Sequence, residues 1–213
     1  MKKPVLLALY GLFLAQLPAR AEFSPELFQQ RLSQFAAYAA PLVQARGHGL
    51  RLFRDPDWDM NLGDCVLEES GQLLITVGDR LYEMEGLAPD HFDVILCHEL
   101  GHLLGGAPKK KNYFNRSGDW ASVEGESDYF AASCVQELEG SASRAARAAE
   151  GFYQLLYSHY APFTGEPKPV LGGKDESVVS QTMEGHPREQ CRLDSFVAGL
   201  TGAPRPRCWY KPE

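Results

Sequence analysis

The sequence predicts an α+β domain in which a small antiparallel sheet packs on several helices. Three observations predict it. Two short β-rich runs, "CVLEE" and "QLLITV", flank Ser70-Gly71, a turn signal that marks an antiparallel pair. Most later segments are longer and read as helices, several ending at Gly or Pro. The strands come early and the helices late, which separates this class from alternating α/β folds.

The elements follow in order. "SPELFQQRLSQFAAYAA" opens with Ser24 as cap and Pro25 in the first turn, puts Leu27, Leu32, Phe35 and Ala36 on one face, and is closed by Pro41 and Gly47. "GLRLF" is a short strand and "DPDWDMNLGD" a loop. "DRLYEMEGL" gives a helical turn or two before Pro89. A helix from about Asp90 to Leu104 stops at Gly105-Gly106. "APKKKNYFNRSG" reads as polar loop, its lysine run as a solvated face. "DWASVEGESDYFAASCVQEL" is the next helix, capped by Ser117 or Asp119, and "SASRAARAAEGFYQLLYSHY" another. A Pro/Gly-rich loop leads to a last helix from near Pro187 to near Gly199.

Before these elements, residues 1–21 have the form of a secretory signal peptide. Lys2 and Lys3 precede an apolar run from Val5 to Leu17, and Ala19-Arg20-Ala21 fits a cleavage signal. The expected mature chain, 22–213, is one domain of about 190 residues with no membrane span, bound for the periplasm or the exterior. Removing the basic leader takes the net charge from −7 to −10. Such an acidic chain excludes nucleic acid as the main partner. Of five cysteines, an odd count, Cys97 is the expected buried thiol, since Val94, Ile95 and Leu96 precede it. Cys65, Cys134, Cys191 and Cys208 remain for disulfides, with connectivity open.

"LCHELGHLLGG", residues 96–106, carries the chemistry. On a helix His98 and His102 share a face and can offer two imidazoles to one ion. Glu99 is turned about 100° away, within reach of a water at that ion without being a ligand. Gly101 allows close packing behind the site. A histidine ten residues after His98 would complete one common ligand pattern, but that position is Pro108. The other solution is a glutamate from a later helix. Glu124, in "EGESD", supplies it, with Asp128 one turn on and on the same face. Asp128 can then fix the tautomer of a liganding histidine. The competing reading is a core helix whose histidines are merely hydrogen-bonded, followed by an acidic helix start.

HELGH followed by Glu-x-x-x-Asp resembles the gluzincin metallopeptidases of the HtpX and BepA type, relatives of the CAAX prenyl proteases. Two further stretches match. "NLGDCVLEESGQLLITVGDRLYEM" is similar to the family's strand, glycine turn, strand and short helix, and "GHPREQCR" to its His-Pro motif with a following arginine. The resemblance covers roughly residues 61–192. It implies a zincin-like fold in which one Zn2+ is held by His98, His102 and Glu124, with Glu99 as general base. It makes His186 the histidine that nears the zinc, as latch or oxyanion donor, and Arg192 an anchor for that loop. It also gives Leu73, Leu74, Ile75 and Thr76 the role of a sheet edge that pairs with an extended substrate.

The expected function is an exported zinc endopeptidase acting on protein or peptide substrates. The alternative is a latched zinc-binding protein, chaperone-like or partner-binding, that rarely cuts. No transmembrane helix or helical repeat accompanies the domain, so neither prenylated-peptide processing nor outer-membrane assembly is implied.

Overall fold

The computed structural model describes residues 23–58, 62–111, 120–160 and 165–212. The leader 1–21, the family-like Asn61 and the expected caps Ser117 and Asp119 lie outside them. The fold is α+β, with five helices and a small three-stranded mixed sheet among the described residues.

Helix α1, Pro25–Gln44, begins as the sequence predicts, with Ser24 Oγ accepting from Leu27 N at 3.3 Å. It runs through Pro41 and buries Phe28, Leu32, Phe35, Ala39 and Val43. Pro41 removes one helical hydrogen bond, but burial of Val43 in the core holds the last turn in place. The buried face therefore uses Phe28 where Leu27 was expected.

Strands β1 (Gly49–Asp55), β2 (Asp64–Leu67) and β3 (Gln72–Gly78) lie in the order β1-β3-β2. β2 and β3 form the expected hairpin, closed at Gly71 with φ +80. β1 pairs with β3 in parallel, Leu50 opposite Leu73 and Leu52 opposite Ile75, so the sheet is mixed and not antiparallel. The hairpin occupies one side of β3. β1 takes the other side, and the chain through β2 provides the long connection that a parallel pair needs. A 3₁₀ turn at Leu81–Glu83 follows.

Helix α2, Pro89–Leu104, is buried from His91 to Leu104 on every face. A helix apolar all round belongs in the middle of a domain. Here α1, the sheet, α3 (Glu124–Glu139) and α4 (Ala142–Tyr160) surround it. Phe92 stacks on Phe28 of α1 with ring centroids 4.6 Å apart. Arg31 of α1 donates to Asp93 at 2.7 Å and to Glu139 of α3 at 2.9 Å, tying three helices at one end.

α2 and α3 meet backbone to backbone. A Cβ on Gly101 would lie 2.8 Å from the carbonyl oxygen of Ser127 and 2.9 Å from its Cα. This closeness overturns the expectation for Cys97. The residue is buried, but it is bonded to Cys134 of α3, the two Cα atoms standing 5.7 Å apart. Cys191 is bonded to Cys208, and Cys65, in neither bridge, is the buried thiol.

α3 starts at Glu124, later than predicted, because the residues before it are extended. Ser122 bridges to Lys109, and its N–H donates to the His102 carbonyl at 2.7 Å. Helix α5, Glu189–Thr201, starts two residues later than expected and runs past Gly199, where any side chain would strike the Tyr129 carbonyl of α3. Among the described residues no helix is long and apolar enough to cross a membrane.

Candidate metal centre

One turn apart on α2, the rings of His98 and His102 stand edge to face with centroids 5.0 Å apart. Each is oriented through Nδ1. His98 Nδ1 lies 2.7 Å from Asp128 Oδ1, and His102 Nδ1 lies 2.8 Å from the Ser122 carbonyl and 2.9 Å from Ser127 Oγ. Both Nε2 atoms then face Glu124 Oε2 on the first turn of α3, at 2.9 and 3.6 Å. His186, in the loop before α5, brings its own Nε2 to 2.9 Å from the same oxygen.

The helix starts explain this convergence. The extended segment before α3 hydrogen-bonds the end of α2, so Glu124 emerges opposite the histidines. Asp128, one turn on, comes up beneath His98. Asp128 is fully buried and its charge is met from two sides. Arg192 of α5 donates Nε–H to Oδ2 and Nη2–H to Oδ1, both at 2.9 Å, and the Tyr153 hydroxyl donates to Oδ1 at 2.9 Å. The Arg192 guanidinium lies 5.1 Å over the Tyr153 ring.

The donor set fits a zinc ion. One atom each from His98, His102 and Glu124 lies within 4.8 Å of the others, and all three residues are buried. Two imidazoles and a carboxylate make a three-ligand set of the kind that leaves one tetrahedral position open. Each imidazole hands its second nitrogen to a carboxylate or carbonyl, which fixes the tautomer that points Nε2 at an ion.

Electrostatics differ sharply along α2. Burial pushes the His102 imidazole down to about 3. Burial opposes charge on His98 too, but Asp128 and Glu124 outweigh it and hold that ring up at about 10. Burial pushes the Glu99 carboxyl up to about 7, with His98 opposing and the charge of Glu124 reinforcing the rise. Glu124 itself is held well below the carboxylate range. Burial opposes this, but hydrogen bonds from His186 and His98 prevail.

These residues line a cavity of about 890 Å³. Its lining includes Leu62, Gly63 and Asp64 together with Glu99, and also Phe152, Leu156 and Tyr160, spaced one turn apart on α4. Of the residues singled out from sequence, His98, Glu99, His102, Glu124, His186 and Arg192 all line it, and Asp128 lies directly behind.

Leu73, Leu74, Ile75 and Thr76 do not. β3 is the middle strand, hydrogen-bonded to β1 on one side and β2 on the other, so it has no edge to offer. The chain that borders the cavity is residues 62–64, at the start of β2. Arg192, six residues after His186, is hydrogen-bonded to Asp128 behind the site.

Sequence reasoning missed five contributors. Lys110 Nζ donates to Glu124 Oε1 at 2.6 Å, and Lys109 Nζ donates to the Trp120 carbonyl at 2.7 Å, so this part of the lysine run is not a solvated face. Ser127 holds His102, Tyr153 holds Asp128, and the thiol of Cys65 hydrogen-bonds Glu99. The oxygen of Ser127 was a readable signal, since a hydroxyl beside a ligand helix can orient an imidazole. Tyr153 carries no local mark. Comparison with family models, with curated proteins and with solved structures gives no match.

Proposed function

We propose that this chain is a zinc endopeptidase of the gluzincin kind, with a zincin-like fold and one ion held by His98, His102 and Glu124. The observation that carries this reading is the convergence of both Nε2 atoms on Glu124 while Asp128 and Ser122 fix the Nδ1 atoms behind them. A merely structural pair of core histidines has no need of an acidic third partner in a cleft.

Zinc held there would supply Lewis acidity, lowering the pKa of a water towards about 7 and polarising a peptide carbonyl. Glu99, at the cavity wall, takes the water's proton on its carboxylate and later returns it to the leaving amine. Its raised affinity for a proton suits both halves of that task. Asp128 keeps His98 in the tautomer that presents Nε2, and Arg192 keeps Asp128 charged and in place. An extended peptide lies between residues 62–64 and the Phe152–Tyr160 wall. The two disulfides fit an oxidising compartment, as an exported enzyme requires.

A second reading has its own observation. His186 sits on the Glu124 oxygen that faces the ligand nitrogens, which favours a latched zinc protein that holds partner chains and seldom cuts.

The test is zinc content of the wild type and His98→Ala, then cleavage of an unfolded protein by the wild type and Glu99→Gln. The peptidase reading expects stoichiometric zinc lost in His98→Ala, and cleavage at least 100-fold weaker in Glu99→Gln with zinc retained. Equal cleavage by Glu99→Gln would sink the mechanism. Zinc without cleavage in the wild type would leave the latched reading.

A further inference from the structure

Beside this centre stands a second ligand set that the proposed mechanism does not use as such. Cys65 of β2 and Glu99 and His102 of α2 each offer one atom within 4.8 Å of the other two. They are 1 %, 8 % and 3 % exposed. The sulfur comes from the strand and the other two atoms from the helix, so ligands approach the common point from two rigid elements.

His102 belongs to both sets. Its Nδ1 is engaged by Ser122 and Ser127, which leaves Nε2 as the nitrogen it turns to an ion. One lone pair serves one ion at a time. The two sets are therefore alternatives.

We infer that Cys65, Glu99 and His102 form a second metal site, selective for thiophilic cations such as cadmium or cuprous ion, whose occupation excludes an ion from the set that contains Glu124. A thiolate beside an imidazole selects soft cations, whereas the imidazole–imidazole–carboxylate set suits zinc. As the sulfur–metal bond forms, the S–H bond breaks and its proton leaves to solvent. Glu99 becomes a ligand and can no longer accept a proton from water. A chain loaded this way is silent as a peptidase, but the binding itself rests only on the three side chains and not on the peptidase reading.

The experiment titrates cadmium chloride alone into the zinc-free full chain and follows the ultraviolet thiolate-to-cadmium charge-transfer band. The band rises to one equivalent in the wild type and also in His98→Ala, which lacks a ligand of the other set. In the His98→Ala background, adding Cys65→Ser abolishes the band and weakens cadmium binding at least tenfold. Cadmium bound by His98→Ala with no thiolate band overturns the site, and this readout needs no change at Cys65 that could disturb folding. Zinc is then added to the cadmium-loaded wild type, and one zinc bound beside one retained cadmium per chain overturns the exclusion. A band together with zinc binding that His98→Ala leaves unaltered would remove the peptidase reading and keep this site; loss of zinc without any band would do the reverse.

Discussion

Asp128 joins His98 to Arg192: one carboxylate accepts from the imidazole at 2.7 Å and from the guanidinium through two bonds at 2.9 Å. All three groups are buried, so the pair of charges is sustained only by this geometry. Asp128→Asn keeps the shape and removes the charge. Zinc affinity should fall about 10- to 100-fold, because the orientation of His98 weakens. Stability should fall by about 3–5 kcal/mol, because Arg192 is left as an uncompensated buried cation. A zinc competition titration and urea denaturation of the same sample read both effects. A variant with normal zinc affinity would show that Asp128 braces α5 and nothing more.

His186 is mostly exposed, and among the described residues its one ion-pair contact is with Glu124. His186→Ala should leave the unfolding free energy, read by urea denaturation, within about 0.5 kcal/mol of wild type, as an ordinary surface change does. If the contact is a latch, cleavage of an unfolded protein should rise severalfold at unchanged zinc content. A large fall in kcat would instead make His186 a donor to the oxyanion.

Gly101→Ala sets two effects of known size against each other. Alanine favours a helix by about 1 kcal/mol over glycine. Overpacking at the Ser127 backbone costs about 1–3 kcal/mol, and a new Cβ only 2.8 Å from a carbonyl oxygen belongs at the upper end. Net destabilisation is expected, with zinc affinity lowered as well, since Ser127 Oγ orients His102. Thermal melting with and without zinc checks this.

The cluster at the far end of α2 gives a pH prediction independent of the metal. Burial, reinforced by the neighbouring Glu139 and opposed by Arg31, pushes the Asp93 carboxyl from its ordinary 3.8 up to about 8. The folded chain thus holds a proton that the unfolded chain releases between these values. This contribution to stability is present in full below about pH 4 and is lost as pH rises through about 8. Asp93→Asn removes the dependence. Relative to wild type it should be more stable at pH 9 than at pH 5, as judged by urea midpoints at the two values. A constant difference between the two proteins would refute the shift.

The candidate ligands were legible because their signal is local. Two histidines at i and i+4, then a glutamate with an aspartate at i and i+4, declare two faces of two helices whatever surrounds them. The hairpin at Ser70-Gly71 was legible for the same reason. Strand order was not: nothing in "QLLITV" says that β1 lies on its far side, so a middle strand was taken for an edge. Cys134, Cys191 and Cys208 are bridged as expected, but Cys97 and Cys65 exchange roles, because that bridge depends on the gap between α2 and α3, which the Gly101–Ser127 contact sets. Lys110 and Tyr153 reach the site from a loop and from a helix rich in alanine, and only the packed chain brings them to Glu124 and Asp128.

The Cys97–Cys134 bond joins the residue just before His98 to the helix that carries Glu124. It closes a loop spanning a sequence separation of 37, worth about 4 kcal/mol of chain entropy. On the zinc reading, an arriving ion would not have to recruit one helix to the other. The disulfide would already have met the cost of bringing them together, whereas in small zinc domains ion binding and folding are a single event. Stripping the ion with a chelator should leave α2 and α3 side by side, with the cavity preorganised for reloading.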